Sequence, residues 1–177
     1  QGGFDTGRLS VRVLGTNDAP VAMADTGATD QNTTLNVAAA NGVLANDRDV
    51  DNGDTLRVTA VAGRSDGVAT AVAGNQGGQF TIAADGSYVF VPGDDFIGLA
   101  AGEQRTTRVT YTATDRQGAS VDSTLTVTVT GTNDAPVAQG MLADQSSSDG
   151  NQVSVATAAG FNDIDRGDVL TYSATGL

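Results

Sequence analysis

Two short stretches hold the residues best suited to chemistry. They are Asp49-Val50-Asp51-Asn52-Gly53-Asp54-Thr55-Leu56 and, 114 positions later, Asp163-Ile164-Asp165-Arg166-Gly167-Asp168-Val169-Leu170. Both spell D-x-D-x-G-D-x-L. Alternate Asp residues in an extended loop place two carboxylates on one side, and Asp54 or Asp168 adds a third. A hard cation such as Ca2+, which takes about six to eight oxygens at about 2.3–2.6 Å, collects groups of this kind. The plain alternative is a solvated Asx turn, because Asp and Gly are ordinary turn residues. Recurrence weighs for the cation: the acidic loop stands in register with a second repeat, GTNDAPVA, at 15–22 and again 116 positions later at 131–138. Within it, Asn17-Asp18 and Asn133-Asp134 offer side-chain and backbone oxygens beside the loops.

Two familiar calcium motifs do not fit. Counted from Asp49, the sixth position of an EF-hand is Asp54 where Gly is needed, and the twelfth is Ala60 where a bidentate Glu is needed. The Gly-rich nonapeptide of calcium-binding β-helices fails at Phe80, which follows Gly77-Gly78-Gln79. Asp85-Gly86 and Asp94-Asp95 read as turn chemistry. Asp30 and Asp149 are weighed as carboxylates reaching down-chain junctions and left outside the candidate set.

Composition removes most other chemistry. The 177 residues include no Cys, His, Lys or Trp; all nine basic residues are Arg, and Glu103 is the single Glu among 21 acidic residues. Without His, Cys or Lys, the usual general bases, thiols and Schiff-base amines are missing, and carboxylate pairs of the glycosidase kind are left, here lying in apparent turns. The chain is read as no enzyme. A net charge of −12 argues against nucleic acid and anionic membrane surfaces. No apolar run of about 18 residues is present to span a bilayer. The expected partners are cations and neutral surfaces.

The elements that must position the acidic loops are strands. Leu9, Val11 and Val13 alternate with polar residues, as do Leu125, Val127 and Val129, and each set runs into a GTNDAPVA copy. Phe80 and Ile82 face the same way as Tyr88 and Phe90 if Ala84-Asp85-Gly86 turns a hairpin. Val109, Tyr111 and Ala113 mark another strand. No window carries a helical stripe over three turns. A unit of about 116 residues suits a seven-stranded β-sandwich with one or two insertions. The expected division is 1–16 as the final strand of a preceding unit, 17–134 as a complete sandwich, and 135–177 as the opening strands of a following one. The opening QGGFDTGRLSVRV reads as the interior of a longer protein.

Three stretches resemble a known family. LAAGEQRTTRVTYTATDRQGASVDSTLTVTVTGTNDAP resembles the closing half of the bacterial cadherin-like repeats called VCBS repeats, GQFTIAADGSYVF their central hairpin, and ANDRDVDNGDTLRVTAV their acidic loop. The resemblance implies tandem Ig-like, cadherin-like modules in a large adhesin of a Gram-negative bacterium, exported by type I secretion and shown at the cell surface, where such proteins serve adhesion and biofilm formation. Residues 138–177 resemble the start of a related cadherin-like or dystroglycan-type domain.

More distantly, the linker resembles the D-x-N-D-N-x-P junction of animal cadherins. Carried over, Asn17 and Asp18 take its central Asn-Asp, Asp49 and Asp51 the D-x-D of the following domain, and Asp115 its late Asp; Asn133, Asp134, Asp163 and Asp165 match at the second junction. Gly15 or Gly131 stands where the cadherin linker has its first Asp, and Ala19 or Ala135 where it has its last Asn. The resemblance implies one or two Ca2+ ions per junction, holding neighbouring repeats of the same chain; the incomplete ends add a further expected partner, adjacent chains in a fibre. The competing expectations are a module that itself grips a carbohydrate or protein, and a self-assembling fibre subunit. Eight aromatic residues, mostly on core-facing strand positions, argue against the first.

Overall fold

Leu125, Val127 and Val129 point one way along a strand whose alternate threonines point the other, a period-two pattern that can bury one face only. This strand, β8 (Ser120–Thr130), forms a long antiparallel hairpin with β7 (Gln104–Thr114), Val109 facing Leu125 and Tyr111 facing Ser123. The structure, a computed structural model, describes residues 1–140 and 160–173. On the far side of β8 lies β1 (Asp25–Asp30), running parallel to it from Asp25 opposite Leu125 to Asp30 opposite Thr130. β3 (Arg57–Val61) pairs with β7 across a bulge near Thr59. The first sheet therefore has the order β1-β8-β7-β3.

The second sheet has the order β2-β6-β5-β4, from β2 (Leu35–Val37), β4 (Val72–Ala73), β5 (Gln79–Ile82) and β6 (Tyr88–Val91). Its centre is the hairpin expected from the sequence: Phe80 opposes Phe90 and Ile82 opposes Tyr88, with all four buried. One core joins the two sheets, with Phe80, Ile82, Phe90 and Phe96 from one side meeting Val109, Tyr111, Leu125, Val127 and Val129 from the other. Phe80 and Phe90 rings lie 4.7 Å apart in a tilted pair, and Phe96 meets Phe90 edge-on at 6.2 Å. Burying each large apolar side chain contributes about 1.5–3 kcal/mol.

The chain is all-β, as expected, with three short 3-10 turns and no α-helix among the described residues. The sandwich has eight strands rather than seven. The addition is β4, two residues long, which the Gly-rich segment before β5 allows to fold back onto the sheet edge.

Residues 1–20 carry no strand, and Leu9, Val11 and Val13 are exposed by 89, 73 and 87%. Their counterparts Leu125, Val127 and Val129 lie between β1 and β7. A strand is defined by its neighbours' backbone groups, and none lies beside Leu9. Beyond the second linker, β9 (Val137–Ala138) and β10 (Phe161–Asn162) form a small antiparallel pair. The expected strand at Val153–Val155, and Asp149, lie outside the described residues.

Candidate metal centre

The top of the sandwich is shaped by the β7–β8 turn. Asp115 opens that turn and is 1% exposed; its Oδ1 accepts from the backbone N–H groups of Gly118 (2.5 Å) and Ala119 (2.8 Å). Its Oδ2 accepts from the Asn17 side-chain amide at 2.8 Å, which ties the linker to the sandwich. The Asn17 amide first, and then these backbone donors, hold the Asp115 carboxyl below the usual carboxylate range.

The acidic loop before β3 folds against this turn. Asp51 N–H donates to Asp49 Oδ1 (2.8 Å), Asp18 N–H donates to Asp51 Oδ2 (2.8 Å), and Asp54 N–H closes a turn on the Asp51 carbonyl (3.2 Å). Asp54 Oδ1 accepts from Arg116 N–H at 3.1 Å and so joins the loop to the residue after Asp115. The linker itself is pinned by a backbone bridge between Val21 and Arg48. As a result Asp49 and Asp54 from the loop and the sequence-distant Asp115 each bring a carboxylate oxygen within 4.8 Å of the others. Asp51 and Asn17 stand at the edge of this group, while Asp18 meets it through its backbone.

The second junction repeats the hydrogen bonds within the loop and between loop and linker. Asp165 N–H donates to Asp163 Oδ1 (2.9 Å), Asp134 N–H to Asp165 Oδ2 (2.7 Å), and Asp168 N–H reaches the Asp165 carbonyl at 3.4 Å. Asn133 donates to the Asp134 carbonyl at 2.8 Å, as Asn17 donates to the Asp18 carbonyl at 3.0 Å. Here Asp163, Asp165 and Asp168 form the group of three within 4.8 Å.

Two features escaped the sequence reading. Gln31, just past β1 and 2% exposed, donates through Nε2 to Asp134 Oδ2 (2.8 Å) and to the Thr132 carbonyl (3.2 Å). It is the neighbour of Asp30, the residue weighed for that role, and strand alternation decides between them: Asp30 faces solvent and Gln31 turns inward. The second is Gly131, where a Cβ would stand 2.1 Å from the Ala100 carbonyl oxygen. No side chain fits there, which accounts for glycine where the cadherin linker has an Asp. Glu103, the lone Glu, accepts from Ala100 N–H (3.0 Å) and serves its own turn.

Below Asp49 sits a separate polar knot. The Tyr111 hydroxyl, 1% exposed, donates to the Val43 carbonyl (2.8 Å) and lies 2.9 Å from Asp25 Oδ2 and 3.2 Å from Asp47 Oδ2. Asp47 Oδ1 accepts from Met23 N–H at 2.8 Å, so the knot shapes the linker's exit. Burial first, and then the charge of Asp47, push the Asp25 carboxyl up to about 6, against the opposing bonds from Tyr111 and Asn46.

Like charges this close repel one another. No cationic side chain offsets this: among the described residues the one salt bridge is Arg64–Asp66. Moreover, Asp49 Oδ2, Asp54 Oδ2 and Asp165 Oδ1 are buried without a hydrogen-bond partner. Acceptor oxygens that are buried, unpartnered and converging are the arrangement a hard cation satisfies.

Comparison with known proteins agrees with this architecture. Residues 17–131 match the family model of the bacterial cadherin-like domain. No curated protein matches the sequence. One similar solved structure is a nucleoside hydrolase-related hypothetical protein from Saccharophagus degradans that is associated with carbohydrate metabolism, at 14% identity and a TM-score of 0.37. That match covers 65% of this chain and 26% of the other, so the chain spans about a quarter of the solved protein's length. Among the described residues no helix is long and apolar enough to cross a membrane.

Proposed function

Because the chain belongs to the bacterial cadherin-like domain family, we propose that it is a calcium-stabilised extender segment of a bacterial cell-surface adhesin, non-catalytic, and built as tandem modules. The observation that carries the reading is the pair of acidic groups with buried, unpartnered carboxylate oxygens, each at one end of the same sandwich. Asp49, Asp54 and Asp115 hold a Ca2+ ion at the first junction, with Asp51, Asn17 and Asp18 completing or orienting its cage. Asp163, Asp165 and Asp168 hold one at the second, with Asn133, Asp134 and Gln31 around it. Bound calcium supplies positive charge and nothing else.

The mechanism is mechanical. Cancelling carboxylate repulsion lets the linker lie flat against the loop, and fixing the linker fixes the angle between one sandwich and the next. The complete module spans 17–134, with the flanking segments belonging to neighbouring modules. A string of such units is a stiff spacer that holds a binding domain away from the cell, which suits a VCBS-type repeat of a type I secreted, Gram-negative adhesin active in attachment and biofilm formation.

Calorimetric calcium titration of the full chain and of the Asp49→Ala/Asp51→Ala variant tests the reading. Binding that the variant loses in part, with Mg2+ a poor substitute because it demands a small octahedral shell, is the expected result. Heat and melting curves indifferent to calcium would overturn it.

A further inference from the structure

Asn-Gly is the dipeptide in which an asparagine side chain is most open to attack by the next backbone nitrogen, because glycine puts no Cβ in the way. The chain has two such pairs, Asn41-Gly42 and Asn52-Gly53, and the fold treats them oppositely. Asn41 ends a 3-10 turn; Gly42 is buried, its N–H is engaged by the Ala39 carbonyl (3.1 Å), and a Cβ there would lie 2.1 Å from the Gly86 carbonyl oxygen. Asn52 and Gly53 are both exposed at the tip of the turn that Asp54 closes on Asp51. Gly53 has φ +84° and open space around it. Among the described hydrogen bonds, none engages the Asn52 side chain or Gly53 N–H.

We propose that Asn52 is a spontaneous modification site at which the first acidic loop deamidates. The Gly53 nitrogen gives up its proton to water and attacks Asn52 Cγ; the new C–N bond closes a succinimide ring, and the side-chain amide leaves as ammonia. Water then opens the ring at one carbonyl or the other, giving Asp or isoaspartate. The net change is the gain of one water and loss of one ammonia, with no oxidation or reduction. Either product adds a carboxylate between Asp51 and Asp54, and isoaspartate also inserts a methylene into the backbone that sets Asp54 against Asp49 and Asp115. The second loop is immune, because Arg166 holds the equivalent place. Deamidation thus ages one junction and spares the other, a consequence that rests on the calcium reading above.

The test is to incubate the folded full chain in mildly alkaline buffer, with calcium or with chelator, and to follow each peptide by mass spectrometry. A one-unit mass gain that accumulates at Asn52 while Asn41 stays unchanged, with both reacting once urea unfolds the chain, is the expected result. An Asn52 that stays intact in the folded chain, or that reacts no faster than Asn41, would overturn the proposal. Calcium titration of aged chain against fresh chain, with Asn52→Gln as the variant that cannot follow this path readily, then reads the effect on the junction. Ageing should change calcium affinity in the wild-type chain and leave that of the variant where it was; equal change in both would overturn the link to deamidation. If mass is gained at Asn52 while fresh chain ignores calcium, the calcium reading fails and the modification site stands.

Discussion

The acidic loop at 49–54 and the one at 163–168 share their internal hydrogen bonds but close on different walls. Behind the first stands Asp115, a buried carboxylate delivered by the β7–β8 turn of the same sandwich. Behind the second stand Gln31 and the turn at Gly98, delivered by the sandwich on the other side of the linker; Arg166 N–H reaches the Gly98 carbonyl at 3.3 Å. The two loops therefore show complementary halves of one junction. The first shows a carboxylate brought to the loop by the late turn of its own module. The second shows how the preceding module docks on the loop, and what Val50, exposed by 77% at the place equivalent to Ile164, would meet if a module preceded it.

Asp115→Asn is the sharpest way to break the comparison. It is expected to remove most of the roughly 3 kcal/mol that a hundredfold excess of calcium over its dissociation constant adds to a folded domain, while Asp165→Ala leaves that gain largely intact. Scanning calorimetry with calcium and with chelator checks it; equal losses from the two variants would mean that the loops do not act separately. Gln31→Ala tests the other wall. Removing a buried donor from the Thr132 carbonyl and Asp134 should cost about 1–3 kcal/mol and loosen the linker, read as faster amide exchange at Asp134 with the Asp49 loop unchanged.

Gly98→Val probes docking without touching a carboxylate. Its Cβ would stand 3.3 Å from the Ile164 carbonyl oxygen, so the second loop must shift by a few tenths of an ångström or leave. Loss of protection at the Arg166 amide, with a melting temperature shifted by the equivalent of about 1 kcal/mol or less, is the outcome expected of a surface change. A comparably small effect concerns Asp25, whose carboxyl is raised from 3.8 to about 6 by burial and by Asp47. The folded chain holds this proton more tightly than the unfolded one. The contribution is complete below the unfolded value and is lost as pH rises through about 6. Discounted for partial exposure, it is on the order of 1 kcal/mol. Asp25→Asn should flatten that slope in denaturant unfolding measured across pH, leaving the share of Asp47, whose carboxyl burial also raises; a slope as steep as the wild-type chain's would assign the titration elsewhere.

The central hairpin was legible because a single local rule, alternation around a turn, places Phe80, Ile82, Tyr88 and Phe90 on one face. The acidic loops were legible because repetition at a fixed offset marks them without any knowledge of what surrounds them. Asp115 came from resemblance, since nothing in its own neighbourhood distinguishes a buried turn carboxylate from a solvated one. Gln31 could not be read from composition, because an amide beside an acid carries no charge signature and its role depends on a linker about 100 residues away.

Period-two apolarity, the repeated linker and the absence of His, Cys and Lys were enough to determine an all-β, Asp-rich chain without the usual catalytic bases, since each depends on residues that are neighbours or copies of one another. Only the tertiary structure decided that Leu125, Val127 and Val129 lie in the core between β1 and β7, because a strand exists only where another backbone offers its N–H and C=O groups. It likewise decided that Asp115 converges on Asp49 and Asp54, because its distance from them depends on the β3–β7 pairing and on the Arg116–Asp54 hydrogen bond between residues 62 positions apart.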